Sequence, residues 1–180
     1  MLQQLIEFVE ANINCFDRSL QIGHVTGSAW IVDLARAHVL LTHHQKLDKW
    51  LQLGGHADGN PDILQVALCE AREESGLQEV SPITEAIFDV DVHLIPAHGS
   101  VPPHFHYDVR FLLQADRGQP LLVSHESKAL AWAALDQVAG LNAEDSLLRM
   151  VKKTQAVLPL RGDNGRQAHH AAPPAAEAVG

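Results

Sequence analysis

The chain has 180 residues, of which 46% are hydrophobic and 19% are charged, and its formal net charge is -9. This length suits one domain with a single core, and the negative charge argues against a general nucleic-acid-binding surface, which needs a basic face. Two cysteines are too few for a disulfide framework, and no apolar run reaches the length of a membrane span. We therefore expect a soluble, cytoplasmic protein that binds neither nucleic acid nor a membrane stably.

The first 20 residues predict a helical extension ahead of the main domain. Apolar residues recur at helical spacing over residues 1 to about 17, namely Leu2, Leu5, Ile6, Val9 and Ile13. We expect this helix to pack on the domain or on a second subunit, so a homodimer stays open.

Residues 24–33 and 37–42 are apolar and β-branched, which predicts a pair of strands. Residues 50–53 predict a short strand that leads into a glycine-rich loop over residues 54–62, which begins with Gly54 and Gly55. Because glycine has no Cβ, the backbone of such a loop can lie against a metal ion or a phosphate.

The segment after this loop predicts a helix from Pro61 to Ser75. Asn60 suits the N-cap, proline suits the first helical position, and Gly76 suits the residue that ends the helix in a left-handed conformation. A second amphipathic helix is predicted over residues 143–157.

Three carboxylates, Glu70, Glu73 and Glu74, share one face of the first of these helices because they stand at i, i+3 and i+4. One interpretation is an ordinary solvated acidic face. The other is a site for Mg²⁺ or Mn²⁺, since hard cations prefer oxygen ligands. The neighbouring glycines favour the cation site.

The 23 positions from Gly55 to Leu77 resemble the signature of the Nudix hydrolases, G-x5-E-x7-R-E-U-x-E-E-x-G-U, where U is apolar. Seven of the nine defined positions agree. The two departures are Pro61, where the family has Glu, and Cys69, where it has Arg. Both family positions help to orient the helix and its carboxylates, so the departures concern turnover more than fold.

The resemblance implies an α/β fold, a Nudix-like α/β/α sandwich with a mixed central sheet, over residues 21–160. Residues 161–180 are rich in Ala, Pro and His, and we expect them to be a disordered tail. The implied reaction is hydrolysis of the diphosphate in a nucleoside diphosphate linked to another moiety, X. The partner is thus a small-molecule diphosphate.

The resemblance also implies the residues of the site. The expected ligands of Mg²⁺ or Mn²⁺ are the Gly55 carbonyl, Glu70, Glu73 and Glu74. Glu70 and Glu74 are also the expected catalytic residues. Glu126 precedes a segment with Trp that is similar to the corresponding Nudix segment, and it is a second candidate for the base.

Two later segments, residues 87–94 and 104–112, alternate in a way that predicts strands with one polar face each. If the strands are neighbours, these faces form one charged wall. We expect contacts to the substrate from Lys46, His104, His106 and Arg110. His104 and His106 at i and i+2 are also a workable arrangement for zinc, which remains an alternative.

Two other functions stay open. An isomerase of isopentenyl diphosphate, similar in fold, also combines His with Glu at a metal site and would convert its substrate without releasing phosphate. A catalytically silent nucleotide-binding module would bind its ligand and leave it intact. The identity of X also stays open among nucleoside triphosphates, nucleotide sugars, ADP-ribose and dinucleoside polyphosphates.

Overall fold

The computed structural model describes residues 1–157, so the predicted disorder of residues 161–180 lies outside the described residues. The helices are α1 (Leu2–Ala11), α2 (Ile63–Ser75), α3 (Val138–Leu141) and α4 (Asp145–Val157). The strands are β1 (Gly23–Asp33), β2 (His38–His44), β3 (Trp50–Leu51), β4 (Leu53–His56), β5 (Val80–Pro82), β6 (Asp89–Ile95), β7 (His104–Ala115) and β8 (Ser127–Ala134).

Strand β1 lies at the centre of a mixed sheet. It pairs in parallel with β7 over its whole length, from Gly23 opposite Phe105 to Asp33 opposite Ala115. Its other edge pairs antiparallel with β2 and with β4. Strands β3 and β8 extend the sheet from β2, and β5 and β6 extend it from β7.

Helices cover both sides of this sheet, because alternate side chains of β1 point in opposite directions. Val25, Ala29 and Ile31 belong to a core shared with α1 and α2. Trp30 and Val32 belong to a second core shared with α3 and α4. The predicted α/β/α sandwich with a mixed sheet is confirmed.

Gly54 and Gly55 form part of a strand, so the prediction of a glycine loop at this position is wrong. Their backbones pair with Ser28 and Gly27 of β1 as residues of β4. This segment pairs with residues 26–29 of β1, along the part of that edge that β2 does not occupy, and the following turn begins only after His56.

Helix α1 ends at Ala11, earlier than the predicted residue 17. Asn12 adopts an extended conformation, and its side chain donates a hydrogen bond of 2.8 Å to the carbonyl oxygen of Phe8, which ends the helix. Leu5 and Phe8 are buried, and the Phe8 ring stacks on Tyr107 with ring centroids 3.9 Å apart. The helix therefore packs on the domain.

Helix α2 begins at Ile63, two residues later than predicted. Its N-cap is Asp62, whose carboxylate accepts a hydrogen bond of 3.0 Å from a backbone N–H in the first turn. Asn60 instead accepts a bond from the N–H of Asp62. The predicted C-terminal end is confirmed, since Gly76 has a φ of 73°.

Strands β6 and β7 are antiparallel neighbours, so the predicted charged wall exists. Asp91 lies opposite Asp108, and Asp89 lies opposite Arg110. Asp89, Asp108 and Arg110 of this wall are buried, and Arg110 is only 2% exposed. The charge of Arg110 is balanced within the fold, because the Nε–H of Arg110 donates a hydrogen bond of 2.7 Å to the carboxylate of Asp108.

Helix α4 closes the same wall with two cationic side chains. Arg149 donates to Asp89 over 2.8 Å, and Lys153 donates to the same carboxylate over 2.6 Å. Burial alone raises the pKa of Asp89, but the hydrogen bonds from these two cations outweigh burial and hold this pKa below its ordinary value.

We predict that Asp89→Asn lowers the free energy of unfolding by about 3 kcal/mol, because it removes the buried carboxylate that balances Arg149, Lys153 and the buried Arg110. The pKa of Asp89 is about 3.9 in the unfolded chain and is lower in the folded protein. The Asp89 carboxylate therefore contributes its full stabilisation above about pH 3.9 and loses it as the pH falls through the folded pKa. Urea denaturation at a series of pH values should therefore show that the free energy of unfolding falls less with decreasing pH in Asp89→Asn than in the unaltered chain. Asp136→Asn, at an exposed position, is the control and should follow the unaltered chain.

Candidate functional site

The backbone of β4 lies directly against α2. The N–H of Gly54 donates a hydrogen bond of 2.9 Å to Oε1 of Glu74, and a Cβ on Gly55 would overlap the carboxylate of Glu70. A Cβ on Gly27 of β1 would lie 3.0 Å from atoms of Ile63 in the first turn of the helix. The missing side chains thus allow the helix carboxylates to approach the strand backbone.

The three helix carboxylates differ in exposure. Glu74 is buried, Glu70 is half-buried and Glu73 is exposed. Burial, together with the negative charges of Glu73 and Glu126, raises the pKa of Glu70 to about 7. Burial also raises the pKa of Glu74 to about 7, against the opposing effect of the Gly54 N–H. Carboxylates held in this way gain most from a bound cation, which would favour their ionised forms.

A cleft of ≈ 590 Å³ opens beside these carboxylates. The predicted site residues that line it are Lys46, Gly55, Glu70, Glu73, Glu74 and Glu126. The segments of Lys46 and Glu126 are held together by a hydrogen bond of 2.8 Å from the N–H of Gln45 to the carbonyl oxygen of Glu126. The structure therefore brings six residues from four separate segments of the chain to one opening.

An ion pair between Arg18 and Asp58 also lies at this cleft, and no sequence pattern predicted it. Arg18 follows α1, and Asp58 lies in the turn after β4. The N–H of Gly59 donates a bond of 2.8 Å to the carbonyl oxygen of Phe16, which holds the two segments together. No local pattern connects residues 40 positions apart, so the sequence carried no signal for this pair.

Three predicted substrate contacts, His104, His106 and Arg110, are absent from the residues that line this cleft. The guanidinium of Arg110 is engaged by Asp108, which also accepts a hydrogen bond of 2.7 Å from Ser28. The geometry thus gives Arg110 a role inside the fold. Contact between substrate and any of the three residues stays a prediction.

The comparisons with known proteins agree with this architecture. A family profile described as the NUDIX domain matches residues 24–153. No curated protein matched the sequence significantly.

Among solved structures, a C. elegans Ap4A hydrolase in a binary complex is similar at 18% identity and a TM-score of 0.60, over 74% of this chain and 96% of that one. The Nudix hydrolase RenU from M. Smegmatis is similar at 20% identity and a TM-score of 0.57, over 77% and 89% of the two chains. The NUDIX domain of Shewanella oneidensis NrtR, complexed with ADP ribose, is similar at 14% identity and a TM-score of 0.54, over 85% of this chain and 97% of that one. At these identities the similarity shows the fold.

The fold and the glutamate helix define a Nudix-type pyrophosphohydrolase, a hydrolase that acts on acid anhydrides. The chain belongs to the NUDIX family, by the profile match over residues 24–153. Within residues 1–157, none of the helices combines the length and the apolar character needed to cross a membrane.

We predict opposite outcomes for the two adjacent glycines. A Cβ at Gly54 would lie 2.7 Å from the carbonyl oxygen of Gly27 and 2.8 Å from the Cα of Ser28, and this backbone cannot yield without breaking the β1–β4 pairing. Gly54→Ala should therefore lower the free energy of unfolding by about 2–3 kcal/mol. Gly55→Ala meets the flexible end of Glu70 and should cost less than about 1 kcal/mol.

Urea denaturation of both variants measures this difference. Equal losses of stability in the two variants would contradict the difference between the rigid backbone that faces Gly54 and the movable side chain that faces Gly55.

Proposed function

We propose that this protein is a metal-dependent hydrolase that cleaves the diphosphate linkage of a nucleoside diphosphate joined to another moiety, X. The observation that carries the proposal is the convergence of Glu70, Glu73 and Glu74 with Gly55 and Glu126 at one cleft. Nudix enzymes generally use divalent metals.

The residues at the cleft suit a hard divalent cation, either Mg²⁺ or Mn²⁺. They offer carboxylate oxygens at fixed spacing on one helix, with Glu70 and Glu74 partly or fully removed from water. The proposed ligands are Glu70, Glu73, Glu74 and the carbonyl oxygen of Gly55. When bound, such a cation neutralises charge on the diphosphate and makes the attacking water more acidic.

Glu74, Glu70 and Glu126 have different tasks in this proposal. Oε1 of Glu74 holds the N–H of Gly54, which leaves the other oxygen for the cation. Glu70 lies over Gly55, where its carboxylate would take a proton from the attacking water. Glu126 is more exposed and remains the second candidate for this base.

Positive side chains at the cleft would help an acidic protein to hold an anionic substrate. Lys46 is exposed there, and its ammonium group would contact phosphate oxygens. Arg18 also lines the cleft, although Asp58 balances its charge. The NrtR NUDIX domain was solved with ADP ribose and another similar structure is an Ap4A hydrolase, so both types of compound belong among the test substrates.

We predict that Glu74→Gln lowers kcat by about 10²–10³-fold on the preferred substrate, with Mg²⁺ or Mn²⁺ supplied. The amide oxygen of glutamine can still accept the bond from Gly54, so the strand stays in place while the negative charge is removed. The measurement is release of phosphate or nucleotide across a panel that includes ADP-ribose, nucleotide sugars, nucleoside triphosphates and dinucleoside polyphosphates.

Glu79→Gln is the matched control, because Glu79 is exposed and lies beyond the end of α2. Its turnover should equal that of the unaltered chain. Full activity in Glu74→Gln would overturn the proposed metal site. A separate assay with isopentenyl diphosphate tests the alternative, and its conversion without phosphate release would favour the isomerase.

A further inference from the structure

Three strands bring histidines together on one side of the sheet. His24 belongs to β1, His56 to β4 and His106 to β7. One ring nitrogen from each lies within 4.8 Å of the other two. The pairing of β1 with β7 places His24 directly opposite His106, and His56 lies beside Thr26 on the other edge of β1.

The centre of this cluster is buried without the hydrogen bonds that imidazole normally makes. His24 is 3% exposed, and neither of its ring nitrogens has a hydrogen-bond partner among residues 1–157. Nε2 of His106 also lacks a partner within that range. Buried polar atoms of this kind are rare in folded proteins because each one costs free energy, so this cluster calls for a ligand.

The protonation state of the cluster suits a cation. Burial, together with the neighbouring His56 and His104, lowers the pKa of His24 to about 4. Burial lowers the pKa of His106 as well. Neutral imidazoles keep a free lone pair at neutral pH, which is the form that binds a metal.

We propose that His24, His56 and His106 bind one Zn²⁺ ion at a site that adjoins the carboxylate cleft, which His56 also lines, but that uses none of the carboxylates of α2. Imidazole nitrogen is a preferred ligand of zinc, whereas Mg²⁺ prefers oxygen. Bonds of about 2.0–2.1 Å in a tetrahedral site place ligand nitrogens roughly 3.3 Å apart. The rings therefore need to close by roughly 1.5 Å or less, which small side-chain rotations supply.

A fourth histidine lies next to these three. The ring of His104 is 5.0 Å from that of His24 and 5.2 Å from that of His106, measured between centroids. Its Nδ1–H donates to the carbonyl oxygen of Pro102 over 2.9 Å, which leaves the lone pair on Nε2. His104 is thus placed to complete the zinc site, in which water would otherwise occupy the fourth position.

Zinc at this position would connect β1, β4 and β7. His56 directly follows Gly55, so the ion would also fix the end of the strand that lies against α2. The site would be structural, and it would help to hold the glycine backbone where the carboxylate cleft needs it.

The test uses the full chain after removal of metals by a chelator, titrated with Zn²⁺ against a chromophoric competitor in the presence of excess Mg²⁺. We expect one equivalent of zinc to bind. The double variant Glu70→Gln/Glu74→Gln should retain this equivalent, while His56→Gln and His106→Gln should each bind it at least about 100-fold more weakly. His98→Gln, at an exposed loop position, should bind like the unaltered chain.

Absence of stoichiometric zinc binding to the unaltered chain would overturn the proposal and leave water molecules as the partners of the buried nitrogens. Binding that persists in the histidine variants but is lost in the glutamate variant would overturn it as well. Neither result depends on hydrolysis, so the zinc site and the proposed function fail independently.

A second measurement covers the case in which the histidine variants do not fold. Long-range ¹H–¹⁵N spectra of the unaltered chain should show zinc-induced shifts at ring nitrogens of His24, His56 and His106. Shifts confined to other histidines would contradict the site.

Discussion

The close contact between α2 and the backbone of β4 is the constraint on which the site depends. A side chain at Gly55 would overlap the Glu70 carboxylate, and Gly54 donates its N–H to Glu74. Because the helix lies so near the strand, the carboxylates of Glu70 and Glu74 are partly removed from water and their pKa values rise. Gly55 and the α2 glutamates line one part of the cleft, and Lys46 and Glu126 line another.

The fold treats its buried carboxylates in two different ways. Asp89 and Asp108 lie beside Arg110 and Arg149, so their charges are balanced by cations of the chain itself. The carboxylates of α2 face a cleft and repel one another, and the nearby Arg18 is already paired with Asp58. Internal balance stabilises a fold, while unbalanced carboxylates at an opening suit the binding of an external cation.

The two departures from the Nudix pattern lie at positions where the structure supports α2 by other contacts. Pro61 lies before the first helical residue, and the adjacent Asp62 caps the helix. Cys69 is half-buried, and its sulfur accepts a hydrogen bond of 3.4 Å from Gln65 one turn earlier. The Asp62 cap and the hydrogen bond between Gly54 and Glu74 thus hold α2 from its two ends.

The sequence by itself determined the α/β/α class, the glutamate helix and the polar faces of β6 and β7, because these follow from local periodicity and one dense motif. It could not show that Arg110 is satisfied inside the fold, or that Arg18 reaches the cleft. Only the tertiary structure decided these contacts and the meeting of His24 with His106. The meeting of His24 with His106 depends on the parallel pairing of β1 with β7, and the surroundings of Arg110 depend on the pairing of β6 with β7. The position of Arg18 depends on the hydrogen bond between Gly59 and Phe16. No local pattern specifies which distant segments become neighbours or in which register.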